Sequence, residues 1–293
     1  MKQFFILNML IISVMCGSFE EPNEWQVADA AWLSNQIYSG VNTMDTASGY
    51  VLDKHESKYM GAYAVWKQKT SGDCYVVIRG TSSLSDIFTD LNVEEYYDSE
   101  IEAYVHSGVR GRALFTINSI GDKLKYCTQD ITVTGHSLGG SIAYYLYLLY
   151  IKRHKEDWGQ TSKAYRFKAV LFSAPALTSN TKKANLMFHD VFVHWYKYGR
   201  DGIPFIIYKV KGSISFEALS NLFKSIGLSI VKRAYDIVQT VHYGYYHPGR
   251  RFLLKNGIKR EYRFDDPYGF DYNAINDHMD FKKSVDILTK IWG

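Results

Sequence analysis

Cysteine is scarce in this chain, three in 293 residues, so no disulfide framework can stand in for a hydrophobic core. None is needed: 46% of the residues are hydrophobic, enough to bury a substantial core. An excess of charge of one sign is lacking too. The 34 basic side chains meet 30 acidic ones, for a net charge of +4, and no basic stripe runs along the chain. That balance excludes a dedicated nucleic-acid binder. Prolines number five, and no repeat, low-complexity stretch or linker divides the sequence. The length suits one α/β unit with a short leader.

Long hydrophobic runs are also lacking, with one exception at the start. Met1-Lys2 precedes an apolar run from Phe4 to Met15, broken by Asn8 and Ser13, and Cys16-Gly17-Ser18 and Glu20-Glu21-Pro22-Asn23 follow. A membrane span needs about 20 residues, whereas a basic start, a short apolar stretch and small residues read as a secretory signal peptide. The expectation is a leader over residues 1–18, a single domain over residues 19–293, and a secreted product. A buried N-terminal element is the alternative reading. Cys16 as a lipoprotein anchor is a lesser one, because Met15 before it is bulky. With the leader removed, Cys74 and Cys127 remain. Export would permit them to bridge; two separate buried thiols fit the sequence equally well.

What is abundant is tyrosine, 24 residues within a 16% aromatic content. Tyrosine suits surfaces that are part apolar and part wet. Along the chain, residues 29–38 read as a helix, with Ala30, Leu33 and Ile37 at helical spacing. Residues 61–67 and 74–79 are β-rich runs around Thr70-Ser71-Gly72-Asp73, a hairpin signal. Residues 100–124 read as a long helix, chiefly from Val109 onward. A strand over 130–134, an apolar helix over 141–153, and strands over 167–172 and 191–198 follow. Strands alternating with helices predict a largely parallel α/β sheet. Residues 213–241 carry apolar side chains at the spacing of two amphipathic helices, which pack on the sheet or serve as a cap.

The strongest motif is Gly135-His136-Ser137-Leu138-Gly139. It follows a β-branched strand and opens an apolar helix, the setting that Gly-x-Ser-x-Gly requires. The turn is tight, so side chains two before and two after the serine would collide. The hydroxyl then stands at a helix N-terminus, where the dipole favours developing negative charge. Ser137 is the candidate nucleophile. It needs a base, and the base needs an orienting acid. In this setting the chain order is serine, acid, histidine. Asp201 in Asp201-Gly202-Ile203-Pro204 follows the strand expected at 191–198 and so falls on the strand edge that bears Ser137, whereas Asp190 precedes that strand. After Asp201 three histidines remain, His242, His247 and His278, and position does not separate them. An oxyanion hole would take one backbone N–H from Leu138. A second would come from Thr81, at the end of the strand Val76-Val77-Ile78-Arg79-Gly80-Thr81.

These segments, taken in order, resemble the class 3 lipases. Val77-Ile78-Arg79-Gly80-Thr81 is similar to the family's oxyanion strand, and Val105-His106-Ser107-Gly108 to its His-x-Gly segment. Val133 to Gly140 matches the nucleophile elbow. Phe172-Ser173-Ala174-Pro175 and Asp201-Gly202-Ile203-Pro204 are similar to the family's Phe-Gly-Ala-Pro and Asp-x-Val-Pro segments, and Tyr245-Tyr246-His247-Pro248-Gly249 resembles a non-catalytic stretch. The likeness spans roughly residues 60–285. It implies an α/β-hydrolase fold: a central, mostly parallel sheet flanked by helices, a short lid, and a helical insertion (213–241) before the catalytic histidine. It implies His278 as the base in preference to His247, Thr81 and Leu138 as the oxyanion hole, and His106 as structural. Leu84, Ile87, Phe88 and Leu91 would form the apolar face of a lid. Ser173 stands where the family has glycine, Phe88 where a lid tryptophan is usual, and the insertion is a further departure.

The expected chemistry is acyl transfer from an ester through Ser137, Asp201 and His278, requiring no metal or organic cofactor. The expected partner is a lipid or ester substrate at a lipid–water interface, with peripheral membrane contact. Triacylglycerol lipase, phospholipase A1 and short-chain esterase are the enzyme readings. A catalytically silent lipid-binding module on the same fold is the reading from another class.

Overall fold

The computed structural model describes residues 21–39, 49–56, 62–81, 95–153, 166–178, 192–198, 249–255, 258–261, 277–278 and 280–292. The expected leader, the lid segment, Asp201, the 213–241 segment, His242 and His247 lie outside these residues.

In chain order the elements are α1 (Glu24–Ser39), β1 (Tyr50–Glu56), β2 (Tyr63–Gln68), β3 (Cys74–Ile78), β4 (Glu95–Asp98), β5 (Ala103–His106), α2 (Ser107–Leu124), β6 (Ile131–His136), α3 (Leu138–Arg153), β7 (Phe167–Phe172), β8 (Val193–Tyr198), β9 (Arg250–Lys255), β10 (Ile258–Glu261) and α4 (Phe281–Trp292). Eight strands form one sheet in the order β1-β2-β3-β6-β7-β8-β9-β10, and β4 and β5 pair separately. Strands β3, β6, β7, β8 and β9 are mutually parallel, with antiparallel hairpins closing both edges.

Period-two alternation sorts the side chains onto two faces. Val65, Val76, Val133, Leu171 and Trp195 meet α2 and α3 on one side. Trp66, Val77, Val170, Phe172 and Tyr196 meet α1 and α4 on the other. Because both faces are covered, the central strands are buried along most of their length and largely apolar, with Thr132, Thr134, Lys168, His194 and Lys197 as buried polar exceptions. Helix α3 is buried from Leu138 to Ile151, which explains why its sequence shows hardly a polar stripe. Helix α1 starts on a reciprocal cap: the Asn23 side chain accepts the Gln26 N–H at 2.9 Å, and the Asn23 N–H donates to Gln26 Oε1 at 3.1 Å. Gln26 also reaches Asp130, which holds the buried Lys168 ammonium at 2.6 Å. The start of α1 is thereby tied to the N-terminal edge of the central strands.

The long helix predicted over residues 100–124 is shorter than expected. It starts at Ser107, and Ala103–His106 is strand β5. Glu102 turns the chain at φ 54°, and Ala103 and Val105 alternate with Tyr104 across a strand rather than lying on a helical stripe. Asp98, at the end of β4, explains the arrangement. Its buried carboxylate accepts from the Tyr145 hydroxyl, from Arg110 Nε at 2.5 Å and from the Glu100 N–H at 2.8 Å. Burial alone would raise its pKa; the hydrogen bonds from Tyr145, Arg110 and Glu100 outweigh it and hold the carboxyl below the usual range. One acid thus joins the β4–β5 ribbon to α2 and α3. The hairpin β9–β10 had no sequence expectation.

Cys74, at the start of β3, and Cys127, just after α2, form a disulfide with Cα atoms 5.9 Å apart. It lies at the edge of the sheet away from the end of β3. The bridge closes a sequence separation of 53 residues, and restricting the unfolded chain over such a loop is worth about 2–4 kcal/mol. Reduction should therefore cost the chain that amount of stability and lower its urea midpoint accordingly. The Cys74→Ala/Cys127→Ala variant should unfold where the reduced wild type does, with or without dithiothreitol.

Candidate active site

Strand β6 ends at His136 and α3 begins at Leu138, so a single residue, Ser137, makes the turn between them. Its φ is +57°, the left-handed region that a side chain enters only at a cost. The surroundings hold it there. The Ser137 N–H donates to the Phe172 carbonyl at the end of β7 at 2.9 Å, and the Ser137 carbonyl accepts the Gly140 N–H at 2.9 Å. Ser141 Oγ then donates to the Pro175 carbonyl at 2.6 Å.

Backbone lies on backbone around this turn. A Cβ on Gly135 would come within 2.5 Å of the Gly139 carbonyl carbon, and one on Gly139 would lie 2.6 Å from the Gly80 nitrogen and overlap the Ile78 carbonyl. Real side chains do not tolerate such distances, so the glycines two before and two after the serine are there for close approach. The same contact presses the loop after β3 onto the start of α3. Thr81 and Leu138 are the chain neighbours of Gly80 and Gly139. The two expected oxyanion donors are thus brought to one place by a backbone contact between the residues beside them.

The histidine comes from far along the chain. His278 Nε2 lies 2.9 Å from Ser137 Oγ across 141 residues of sequence, and both residues are fully buried. The Ser137 hydroxyl donates to Nε2 when His278 carries its proton on Nδ1. Helix α4 delivers this side chain. Phe281, Val285 and Leu288 recur at helical spacing and pack on α1 and the sheet beside Phe172 and Val170. Phe281, three residues past His278, stacks on the His136 ring with centroids 4.3 Å apart. His136 Nε2 in turn lies 3.2 Å from the His278 carbonyl. His136 is fully buried; burial first and the neighbouring His278 second push its pKa well below the ordinary imidazole value. It is a neutral ring that holds His278 in place.

Of the residues singled out in the sequence, Ser137 and His278 are in contact, and Thr81 and Leu138 border them. His106 is buried at the end of β5, where its backbone N–H donates to the Leu177 carbonyl at 3.1 Å. Asp201, His247 and the residues Leu84, Ile87, Phe88 and Leu91 lie outside the described residues. Ser173, the departure from glycine, has φ +52°. The serine takes the left-handed conformation that glycine would adopt freely, and its N–H donates to the Tyr196 carbonyl at 2.7 Å. Sequence reading missed Tyr38, whose hydroxyl is 3.2 Å from His136 Nδ1; a tyrosine at the end of an amphipathic helix gives no sequence signal.

The glycine contact has a measurable consequence. Gly139→Ala should cost about 1–3 kcal/mol of stability, because the methyl group meets backbone at Ile78 and Gly80 and no side chain can move aside. It should also slow labelling of Ser137 by a fluorophosphonate, since relief of the clash must part the two loops. Thermal melts beside labelling rates check both.

Residues 75–211 match the family model for class 3 lipases. No curated protein matches the chain by sequence. Among solved structures, the chain is similar to lipase II from Rhizopus niveus, at 17% identity and a TM-score of 0.58, with 86% of this chain and 89% of that one covered. It is similar as well to the Rhizomucor miehei lipase propeptide complex, at 17% identity and a TM-score of 0.57, covering 86% and 76%. A third likeness is to the lipase from Rhizopus microsporus var. chinensis, at 18% identity and a TM-score of 0.56, covering 86% and 82%. At this identity the structures speak for the α/β-hydrolase fold. The sequence match speaks for the family over the stretch it covers: from β3 through the serine turn to the segment after β8 the chain is similar to the class 3 lipases, and match and fold together indicate a serine ester hydrolase.

Proposed function

We propose that this hydrolase cleaves the carboxylic esters of lipids, acylglycerols or phospholipids, through an acyl-enzyme on Ser137. The observation that carries the reading is the 2.9 Å contact between Ser137 Oγ and His278 Nε2, made by a serine in a left-handed turn at the start of a helix. His278 takes the serine proton as Oγ attacks the ester carbonyl, then returns it to the leaving alcohol. Water activated by the same imidazole releases the acid. The Thr81 and Leu138 N–H groups receive the oxyanion.

Asp201 is proposed as the acid that orients His278. Support comes from the parallel sheet: β6, β7 and β8 run the same way, so the chain leaving β8 at Tyr198, three residues before Asp201, emerges on the edge that bears Ser137. The complete burial of Ser137 supports a cover over the nucleophile, and an apolar cover suits a substrate met at a lipid surface. The segment with Leu84, Ile87, Phe88 and Leu91 is proposed for it. A secreted product with a leader over residues 1–18 agrees with the Cys74–Cys127 disulfide, a bond that persists in oxidising compartments.

The test is fatty-acid release by the chain without its leader from p-nitrophenyl esters of rising acyl length, a triacylglycerol emulsion and phosphatidylcholine vesicles. The expectation is release that is fastest from the emulsion or the vesicles, with the preferred one distinguishing triacylglycerol lipase from phospholipase A1. Ser137→Ala should lose on the order of 10⁶ in kcat, and Asp201→Asn about 10⁴. Turnover confined to short soluble esters would make the protein an esterase. Vesicle binding without any hydrolysis would make it a silent lipid-binding module and sink the proposal.

A further inference from the structure

Tyr38 stands on the last turn of α1, outside the stretch of the family match, yet it touches two separate parts of the reactive centre and reaches a third. Its hydroxyl oxygen lies against Gly80, in the loop that ends at Thr81: a Cβ on Gly80 would come within 2.6 Å of it, and the Gly80 backbone N–H is its hydrogen-bond partner there. The same hydroxyl lies 3.2 Å from His136 Nδ1 and 3.5 Å from the His136 carbonyl, beside the nucleophile. Through the His136 ring it reaches the base, because His136 Nε2 lies 3.2 Å from the His278 carbonyl.

The proton positions on this chain of contacts follow from elementary chemistry. A carbonyl oxygen only accepts, so the neutral His136 ring carries its proton on Nε2 and donates it to His278. Nδ1 is then a lone pair, and the Tyr38 O–H must donate to it. The Tyr38 oxygen is left to accept, and the Gly80 N–H supplies the donor. Of the two acceptors beside the Tyr38 hydroxyl, His136 Nδ1 at 3.2 Å is nearer than the His136 carbonyl at 3.5 Å, so the chain runs from Gly80 to His278. The ring of Tyr38 is fixed as well: the Arg79 guanidinium lies over it at 5.6 Å from the centroid, and the His136 ring meets it edge-on at 5.9 Å. On the far side His136 stacks on Phe281.

We propose that Tyr38 is a positioning residue that locks the Gly80–Thr81 oxyanion loop and the base His278 into register with Ser137, through a directed hydrogen-bond chain Gly80 N–H, Tyr38 O–H, His136, His278 carbonyl. The proposal rests on the ester-hydrolase reading above. Tyr38 touches neither substrate nor reacting atoms in this scheme; its hydroxyl sets the distance between the group that takes the proton and the groups that receive the charge. A misplacement of either by a fraction of an ångström is felt in the transition state and hardly at all in ground-state binding.

The experiment compares wild type, Tyr38→Phe, His136→Phe and the double variant. Their kcat and KM would be measured on one p-nitrophenyl ester, their Ser137 labelling rates with a p-nitrophenyl alkylphosphonate, and their thermal melts recorded. Phenylalanine keeps the ring at both positions and removes the polar links. The expected result is a fall in kcat and in labelling rate of about 10- to 100-fold for Tyr38→Phe, with KM within twofold of wild type. The double variant should be no slower than the slower single one, because both changes cut the same chain. If Tyr38→Phe is poorly folded by its melt, His136→Phe alone must show the same split of kcat from KM. Wild-type kcat in Tyr38→Phe, whatever its melting temperature, overturns the proposal. So does a double variant whose loss is the product of the two single losses. A wild type that neither turns over ester nor takes up phosphonate overturns the hydrolase reading and this one with it, so the two failures are distinct.

Discussion

At the reactive edge of this protein, backbone approaches backbone more closely than a side chain would permit. The turn at Ser137 is wedged between the end of β3 and the start of α3, with Gly80, Gly135 and Gly139 forming the contact. That contact has three effects at once. It forces the serine into a left-handed conformation, aims its hydroxyl away from the sheet at a helix N-terminus, and sets the backbone beside Thr81 next to the backbone beside Leu138. Strain is tolerated because the parallel sheet on both sides, β3 and β7, holds its ends by regular pairing. The sheet can do so because it is covered on both faces, by α2 and α3 on one and by α1 and α4 on the other.

The same constraint explains what could be read from the sequence and what could not. The serine turn is legible because close approach demands glycine, and glycine at fixed offsets is a local signal. The central strands are legible because burial on both faces makes them apolar and β-branched. Reading residues 100–106 as helix failed for the opposite reason. Their conformation is set by Asp98, which pairs with Arg110 and Tyr145 across the fold, and no local pattern records a partner 47 residues away. The disulfide was open on the sequence for a like reason, since spacing does not give the distance between Cys74 and Cys127.

His278 shows a mixed case. Position along the chain left three histidines, and resemblance to the family chose among them. The physical reason for the choice lies in α4, whose apolar residues Phe281, Val285 and Leu288 dock against α1 and the sheet and so carry the imidazole to the serine. Tyr38 and His136 were legible as residues of a helix and a motif but not as partners, because their meeting depends on the packing of α1 beneath the turn.

The distance in sequence between Ser137 and His278 carries a consequence for biosynthesis. Ser137 and the glycine contacts around it can form once β7 is in place, but the histidine enters 141 residues after the serine and is held by a helix that needs α1 as its seat. A growing or truncated polypeptide that ends before residue 278 therefore bears Ser137 without the imidazole that meets it in the folded chain. The meeting of Ser137 and His278 thus waits on the docking of α4 against α1, two helices at opposite ends of the described chain.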